Sequence, residues 1–304
     1  MPLTECQKSV EIRMKKKIKI AHVITRLDWG GSPDIVRILC QYLDPDDFEV
    51  TLITGPSRSM TQKTKDFCAG FKGLRIQVPD LQRNIDLIKD AKALGQLIGI
   101  FRRNRFDIVH THTAKAGALG RFAARCAGVN SIIHTPHGHT FYGYFGSWMS
   151  GFCVFAERLL ARITDMTVVL TDIEKNDMLQ YRITTLDRMR LIAQGVELEP
   201  FMAPQAEAAQ RFKNSLHAAD GQRLVGMIAR IEPVKGPDIF VAAARIVSER
   251  MPSVIFVVVG EGSLRQRLME RSRQYGLSQK IIFTGWREDV AQIAQAFELL
   301  ALPS

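Results

Sequence analysis

Short apolar runs rich in β-branched residues alternate with stretches of helical periodicity along almost the whole chain. Residues 18–25, 48–54, 108–110, 131–135 and 166–170 read as buried strands, and residues 39–43, 85–103, 115–127 and 152–163 as helices between them. After a break the rhythm returns, with strands at 224–229, 254–259, 280–283 and 298–302 and helices at 237–250, 263–275 and 290–296. Strands apolar on both faces, each followed by a helix, predict a mostly parallel sheet covered on both sides, so the fold class is α/β. With 304 residues, 46% of them apolar and 24% charged, the chain can build two such cores. Disordered and collagen-like classes are excluded.

The break falls at residues 195–209, where Pro200, Pro204 and small or polar residues replace the periodic pattern. It divides the chain into a tail at 1–13, ahead of the second methionine Met14, a first domain at 14–195, a linker at 196–220 and a second domain at 221–304. The second is much the shorter and stops at Pro303 and Ser304 as a strand ends, so an incomplete domain is expected. No apolar run approaches the roughly 18–20 residues that cross a bilayer. Lys15, Lys16, Lys17 and Lys19 lead into a strand pattern rather than a cleavable leader, which places the protein in the cytoplasm. Cys6, Cys40, Cys68, Cys126 and Cys153 are widely spaced with no CxxC, so reduced thiols are expected, with Cys40 and Cys126 in apolar helical patterns. Most of the net charge of +10 falls before Pro200, which suits an anionic partner. The cations do not interleave with aromatics as a nucleic-acid platform requires.

Many catalytic signatures are missing: there is no phosphate-loop Gly-Lys-Ser/Thr, no HExxH and no GxSxG. Gly260-Glu261-Gly262 begins like a dinucleotide fingerprint but has Arg265 where the third glycine belongs. Asp44-Pro45-Asp46 spells a DxD, yet it lies between a helix and a strand where Pro and Asp form turns. Three constellations carry more. Gly30 and Gly31 follow the first strand and precede a helix, where backbone N–H groups can approach an anion; a plain tight turn is the competing reading. Arg230 ends a strand and Lys235 stands five residues on, just before Pro237 opens a helix; a solvated loop competes with a diphosphate clamp. Finally, His110, His112, His134, His137 and His139 cluster at two strand ends, where open α/β sheets bind ligands. Without an accompanying Cys or carboxylate pair, they are not read as a metal site.

Taken in order, these features resemble glycosyltransferase family 4. The resemblance runs from about Met14 to Ser304 and is carried by Ile20-Ala21-His22-Val23-Ile24-Thr25-Arg26-Leu27 with Gly30-Gly31, Asp107-Ile108-Val109-His110-Thr111-His112, and His134-Thr135-Pro136-His137-Gly138. Gln194-Gly195-Val196-Glu197, Arg230 with Lys235-Gly236, Val259-Gly260-Glu261-Gly262 and Phe283-Thr284-Gly285-Trp286 extend it. It implies the GT-B fold, two Rossmann-like domains facing across a cleft, here with the second incomplete. It also implies transfer of a hexose-type sugar from a nucleoside-diphosphate sugar to an acceptor hydroxyl, with retention and no resident metal or cofactor. On this resemblance His137 is the active-site histidine. Gly30, Gly31, Arg230 and Lys235 bind the donor phosphates, and His112, Lys115, His139, Gly260 and Glu261 are further candidate donor or acceptor contacts. Gln194 replaces the family's usual Asn, and the family's paired glutamates would fall after Ser304.

The acceptor is less legible. Residues 140–149 are aromatic and Gly-rich, which suits a lipid-linked acceptor and peripheral attachment to the inner face of a membrane; a packed loop-to-helix segment is the competing reading. Relatives of this kind build surface polysaccharides and glycolipids. Two other functions compete with transfer: a naturally short protein that binds phosphate or acceptor without turnover, and a nucleotide-sugar epimerase.

Overall fold

The computed structural model describes residues 16–138, 147–217 and 221–304. They form two compact units, the first ending at Gly195 and the second beginning at Val196.

The first unit runs β1 (Ile18–Ile24), α1 (Gly31–Tyr42), β2 (Phe48–Thr54), α2 (Gln62–Gly70), β3 (Leu74–Gln77), α3 (Leu87–Asn104), β4 (Ile108–His112) and α4 (Ala114–Ala127). It continues with β5 (Ser131–Thr135), α5 (Ser147–Ala161), β6 (Met166–Val169), α6 (Asp172–Gln180) and β7 (Met189–Leu191). Among the described residues the sheet has the order β3-β2-β1-β4-β5-β6-β7 with every pairing parallel. Alternation along β1 explains its two buried faces. Ala21 and Val23 pack with Val109, Ile132, Leu97, Phe101 and Ala116 against α3 and α4, while Ile20 and Ile24 pack with Leu52, Val36 and Cys40 against α1.

Helix α4 comes down on the sheet at two glycines, Gly117 over β5 and Gly120 over β4. A Cβ at Gly117 would sit 2.4 Å from Cε1 of the buried His134, and one at Gly120 would sit 2.7 Å from Cγ2 of Thr111. Buried Arg121 then ties α4 to α5: its Nη2 donates to both carboxylate oxygens of Glu157 at 2.9 Å and its Nε to the Gly117 carbonyl at 2.9 Å.

The second unit comprises α7 (Glu199–Met202), α8 (Ala206–Ser215), β8 (Arg223–Ile228), α9 (Pro237–Arg250), β9 (Val254–Val259), α10 (Arg265–Gln274), β10 (Ile281–Gly285), α11 (Val290–Ala294) and β11 (Leu299–Leu300). Its described strands pair in parallel in the order β10-β9-β8-β11. Central β9 is buried throughout: Val254, Phe256 and Val258 meet Phe240, Val241 and Leu268, while Ile255, Val257 and Val259 meet Ala209, Phe212 and Ile293. Segment 196–220 is therefore not a bare connector, because α8 inside it covers one face of this sheet through Ala209 and Phe212. Ala209 and Phe212, three residues apart in a stretch whose composition resembles a linker, are the contact stripe of an amphipathic helix.

Asp44-Pro45-Asp46 is a turn: the Asp44 carbonyl accepts from Asp47 N at 3.2 Å and Phe48 N at 2.9 Å, and its Oδ1 accepts from Asp46 N at 2.8 Å. All four described cysteines are free, but whereas Cys40 is buried, with burial pushing its thiol up to about 12, Cys126 is exposed on the outer side of α4. Cys6 lies outside the described residues.

Replacing Gly117 with Ala should cost about 1–3 kcal/mol, because the buried His134 ring has nowhere to retreat. Denaturant titration checks this, and a variant as stable as the parent would show that α4 can lift off β5 without loss.

Candidate active site

In the first unit the site residues gather at the carboxyl ends of β1, β4 and β5. The loop after β1 is fixed from beneath: buried Asp28 accepts from Arg58 N and Ser59 N at 2.7 Å each and pairs with Arg26 at 3.2 Å. Leu27 N donates to Ser57 Oγ at 2.7 Å and Trp29 N to the Ser59 carbonyl at 3.0 Å. This loop delivers Gly30, at φ 147°, as the N-cap of α1, with no side chain capping the helix. Beyond Gly30 and Gly31 the space is open: a Cβ at Gly30 would meet nothing nearer than Pro33 Cδ at 3.8 Å. The first-turn N–H groups therefore stand ready for an anion at the positive end of the helix.

Beside this loop lies a row of buried imidazoles. Parallel pairing sets His22 opposite His110, and His112 follows two residues later on the same face. His22 Nδ1 is 3.1 Å from His112 Nε2, and His112 Nδ1 is 3.0 Å from His137 Nε2. The His110 ring lies 4.1 Å from that of His112, centroid to centroid, and its Nε2 bonds Thr135 Oγ1 at 2.8 Å. His22, His110 and His112 bring one ring nitrogen each within 4.8 Å of the others, a spacing that a soft divalent cation can use. Both nitrogens of His112 and Nε2 of His110 are hydrogen-bonded, His112 to His22 and His137 and His110 to Thr135.

Burial alone lowers His22 and His137 to about 4, and burial, reinforced by neighbouring histidines, holds His110 and His112 well below the usual imidazole value. His137 adopts φ 58° and Thr113, at the end of β4, φ 66°; such strain in residues other than glycine concentrates at functional sites.

The structure sorts the predicted histidines. His110, His112 and His137 come together. His134 does not: its register partner is Thr111, so it faces α4 on the opposite side of the sheet, where its Nδ1 meets Thr111 Oγ1 at 3.0 Å. His139 lies outside the described residues. Lys115, in the first turn of α4, is engaged by Asp90 Oδ1 at 2.5 Å and by the Asn84 carbonyl. Two residues that the motifs did not single out belong to the site. His22 completes the imidazole row. Buried Glu174 accepts from Gly138 N at 3.4 Å and Leu170 N at 2.7 Å, clamping the turn that carries His137. Its signal was Thr171-Asp172-Ile173-Glu174, a helix-capping pattern in which Thr171 Oγ1 accepts from Glu174 N at 3.1 Å.

In the second unit, Arg230, Lys235, Gly260 and Glu261 occupy the loops after β8 and β9. Ala229 N donates to the Val259 carbonyl at 3.1 Å, Ile231 N to the Glu261 carbonyl at 2.9 Å, and Gly260 N to the Gly285 carbonyl at 2.9 Å. Glu232 accepts from Ser263 N at 3.1 Å and Ser263 Oγ at 2.7 Å, locking the two loops. On that frame Arg230 is exposed and Lys235 half-buried, and neither has a side-chain partner among the described residues. Glu261 pairs with Arg265 at 3.5 Å.

These two parallel-sheet units have the GT-B fold. Anabaena Alr3699/HepE, solved in complex with UDP and glucose, superposes with a TM-score of 0.73 at 17% identity, over 94% of this chain and 74% of that one. Sucrose-phosphate synthase from Thermosynechococcus elongatus gives 0.72 at 19%, over 95% and 76%. The model of Glycosyltransferase Family 4 matches residues 29–200 and that of Glycosyl transferases group 1 residues 209–304. In sequence the chain is 32% identical over 291 residues to the UDP-Gal:alpha-D-GlcNAc-diphosphoundecaprenol alpha-1,3-galactosyltransferase of Escherichia coli, covering 95% of this chain and 74% of that enzyme. It is 24% identical over 296 residues to the putative glycosyltransferase EpsF of Bacillus subtilis strain 168, covering 94% and 73%. The chain belongs to glycosyltransferase family 4.

The buried imidazoles make an acid-labile unit. Their folded values lie below the unfolded 6.5, so between pH 6.5 and about 4 the unfolded chain binds more protons and stability falls as pH falls. Each histidine held neutral contributes a slope of about 1.4 kcal/mol per pH unit in that window. Urea midpoints at pH 7, 6 and 5 should drop progressively; a flat profile would mean that these rings are hydrated and charged.

Proposed function

We propose that the protein transfers a hexose from a nucleoside-diphosphate sugar to an acceptor hydroxyl, with retention at the anomeric carbon, in the synthesis of a cell-surface polysaccharide or glycolipid. The observation that carries this is the pair of cations, Arg230 and Lys235, without side-chain partners among the described residues, on a loop braced by Glu232 at the carboxyl edge of a parallel sheet. As the bond from the anomeric carbon to the diphosphate breaks and the acceptor oxygen bonds in its place, negative charge grows on the diphosphate. Preorganised donors aimed at that charge lower the barrier. Arg230 supplies a planar fork and Lys235 a compact charge, and both act without first breaking an internal pair. Gly30 and Gly31 offer uncapped helix N–H groups to an anion, and His137 contacts the donor sugar. Gly260 and Glu261 bound the sugar-nucleotide loop, while the acceptor proton leaves with the diphosphate or to solvent.

A uridine donor is supported by the names of the Escherichia coli galactosyltransferase and the HepE complex. A lipid-linked acceptor is supported by the first of these, and by α5. Val154 and Ala161 bury one side of that helix, while Trp148, Phe152, Phe155 and Leu159 recur at helical spacing on an exposed one, with Trp148 87% exposed. Trp and Phe on such a face suit the boundary of a bilayer. No described helix is long and apolar enough to cross a membrane.

A panel of UDP-sugars with a lipid-diphosphate-sugar acceptor tests the reaction. Product with retained configuration is expected; epimerised donor without acceptor, or binding without turnover, would replace this reading. Lys235→Ala should lower kcat by about 10²–10³-fold, as loss of one transition-state donor does, and an unchanged kcat would remove Lys235 from the phosphate site. Phe152→Ser with Phe155→Ser should reduce co-sedimentation with vesicles containing anionic lipid while leaving UDP binding intact; equal sedimentation would assign the α5 face elsewhere.

A further inference from the structure

His22, His112 and His137 form an unbranched chain of two hydrogen bonds, each between ring nitrogens. The two ends, His22 Nε2 and His137 Nδ1, are buried and have no hydrogen-bond partner among the described residues. Burial keeps the rings neutral, so each carries one N–H. Each of the two bonds needs one proton, and the third proton falls at one end. Only two arrangements satisfy this count. Either all three rings carry Nδ1–H, with His137 Nδ1–H free and His22 Nε2 a bare lone pair, or all three carry Nε2–H, with the free groups exchanged. Any mixed set sets two N–H groups or two lone pairs against each other and breaks a bond. The three tautomers therefore change together.

The choice between the two is made by depth: His22 is 1% exposed, whereas His137 is half-buried at the carboxyl edge of the sheet, where a ligand can meet its Nδ1–H. His22 lies on the α1 face of the sheet between Ile20 and Ile24, both buried in an apolar cluster, with the His110 ring 5.2 Å away, centroid to centroid. A buried N–H with no acceptor is rarer in folded proteins than an under-satisfied acceptor. We infer that His22 and His112 are positioning residues that hold His137 in its Nδ1–H form, so that the site presents a neutral hydrogen-bond donor at His137 Nδ1. Such a donor suits an oxygen of the sugar or phosphate that gains charge during transfer, and it excludes His137 Nδ1 as a proton acceptor. The role of this donor rests on the proposed transfer reaction; the tautomer itself does not.

The test is two-bond proton–nitrogen NMR on the full chain labelled with nitrogen-15 histidine, without substrate, the signals being assigned by their loss in single His→Gln variants. The expected result is the Nδ1–H pattern for His22, His112 and His137 together. An Nε2–H pattern at His137, a mixed set, or nitrogen shifts characteristic of metal coordination would overturn the inference. In His22→Phe, whose ring still fills the core, His137 should lose the single-tautomer pattern and populate both forms. An unchanged Nδ1–H pattern at His137 in that variant would show that His22 does not set it. Because the wild-type spectrum needs neither folding of a variant nor turnover, it decides the tautomer independently of whether sugar transfer is observed.

Discussion

The pairing of β1 with β4 carries the first unit's site. Its register sets Ile20 against Ile108 and His22 against His110, which puts His22, His110 and His112 on one face of the sheet. A slip of one residue would move His22 to the opposite face, among Leu97, Phe101 and Ala116, and break its bond to His112. What enforces the register is the apolar alternation itself: Ala21 and Val23 fit beneath α3 and α4, where nothing larger than valine comes from β1. The glycines of α4 belong to the same constraint. With Gly117 against His134 and Gly120 against Thr111, the helix comes down on the sheet and starts next to the strained Thr113, whose Oγ1 meets Thr25 Oγ1 at 3.2 Å.

In the second unit backbone proximity has the corresponding role. A Cβ at Gly260 would lie 2.0 Å from the Ala229 carbonyl oxygen, and one at Gly262 would lie 2.3 Å from that of Ile231. Gly260 also holds φ at 143°, where other residues are strained. These glycines let the loop after β9 lie directly against the loop after β8, and Glu232 then has Ser263 within reach. The GxG pattern that resembles a dinucleotide fingerprint thus acts through close packing of two loops. That use of glycine explains why the third glycine of a fingerprint is dispensable here: α10 begins at Arg265 and need not cross the strand at contact distance.

Most of this architecture was legible from apolar runs, because β1, β2, β5, β8 and β9 are buried and their residues show it. Among the elements that escaped, β3 and α6 are those whose burial is slight. Strand β3 is an edge strand with its four residues largely exposed, and α6 buries only Glu174 and Met178, so neither leaves a periodic apolar signal. The site was legible in parts for a related reason. Histidines at strand ends are visible as a cluster, but their face is not: His112 and His134 look equivalent along the chain, and only the β4–β5 register, pairing Thr111 with His134, separates them. His22 was hidden by the opposite effect, since one histidine in Ile-Ala-His-Val-Ile reads as a tolerated core position until a second strand supplies His112. Family resemblance pointed to His137 and Lys235 but carries no information on which ring nitrogen is free.

The two units handle charge differently, and burial explains why. Cations keep their charge cheaply only where water reaches them, so Arg230 is exposed and Lys235 half-buried on a loop. In the first unit the imidazoles near the carboxyl edge are buried in a row, and a charged one at His112 would be desolvated beside three others. A buried group can still direct an electrostatic field if it is a dipole rather than a charge, provided its orientation is set. Backbone N–H groups at Gly30 and Gly31 are oriented by the helix they begin, with Asp28 holding the loop that leads to them. An imidazole has no such built-in direction, since its proton can sit on either nitrogen. A chain of hydrogen bonds ending in an apolar core removes that freedom. Without His22 and His112, a neutral histidine at position 137 would be as ready to accept a hydrogen bond as to donate one.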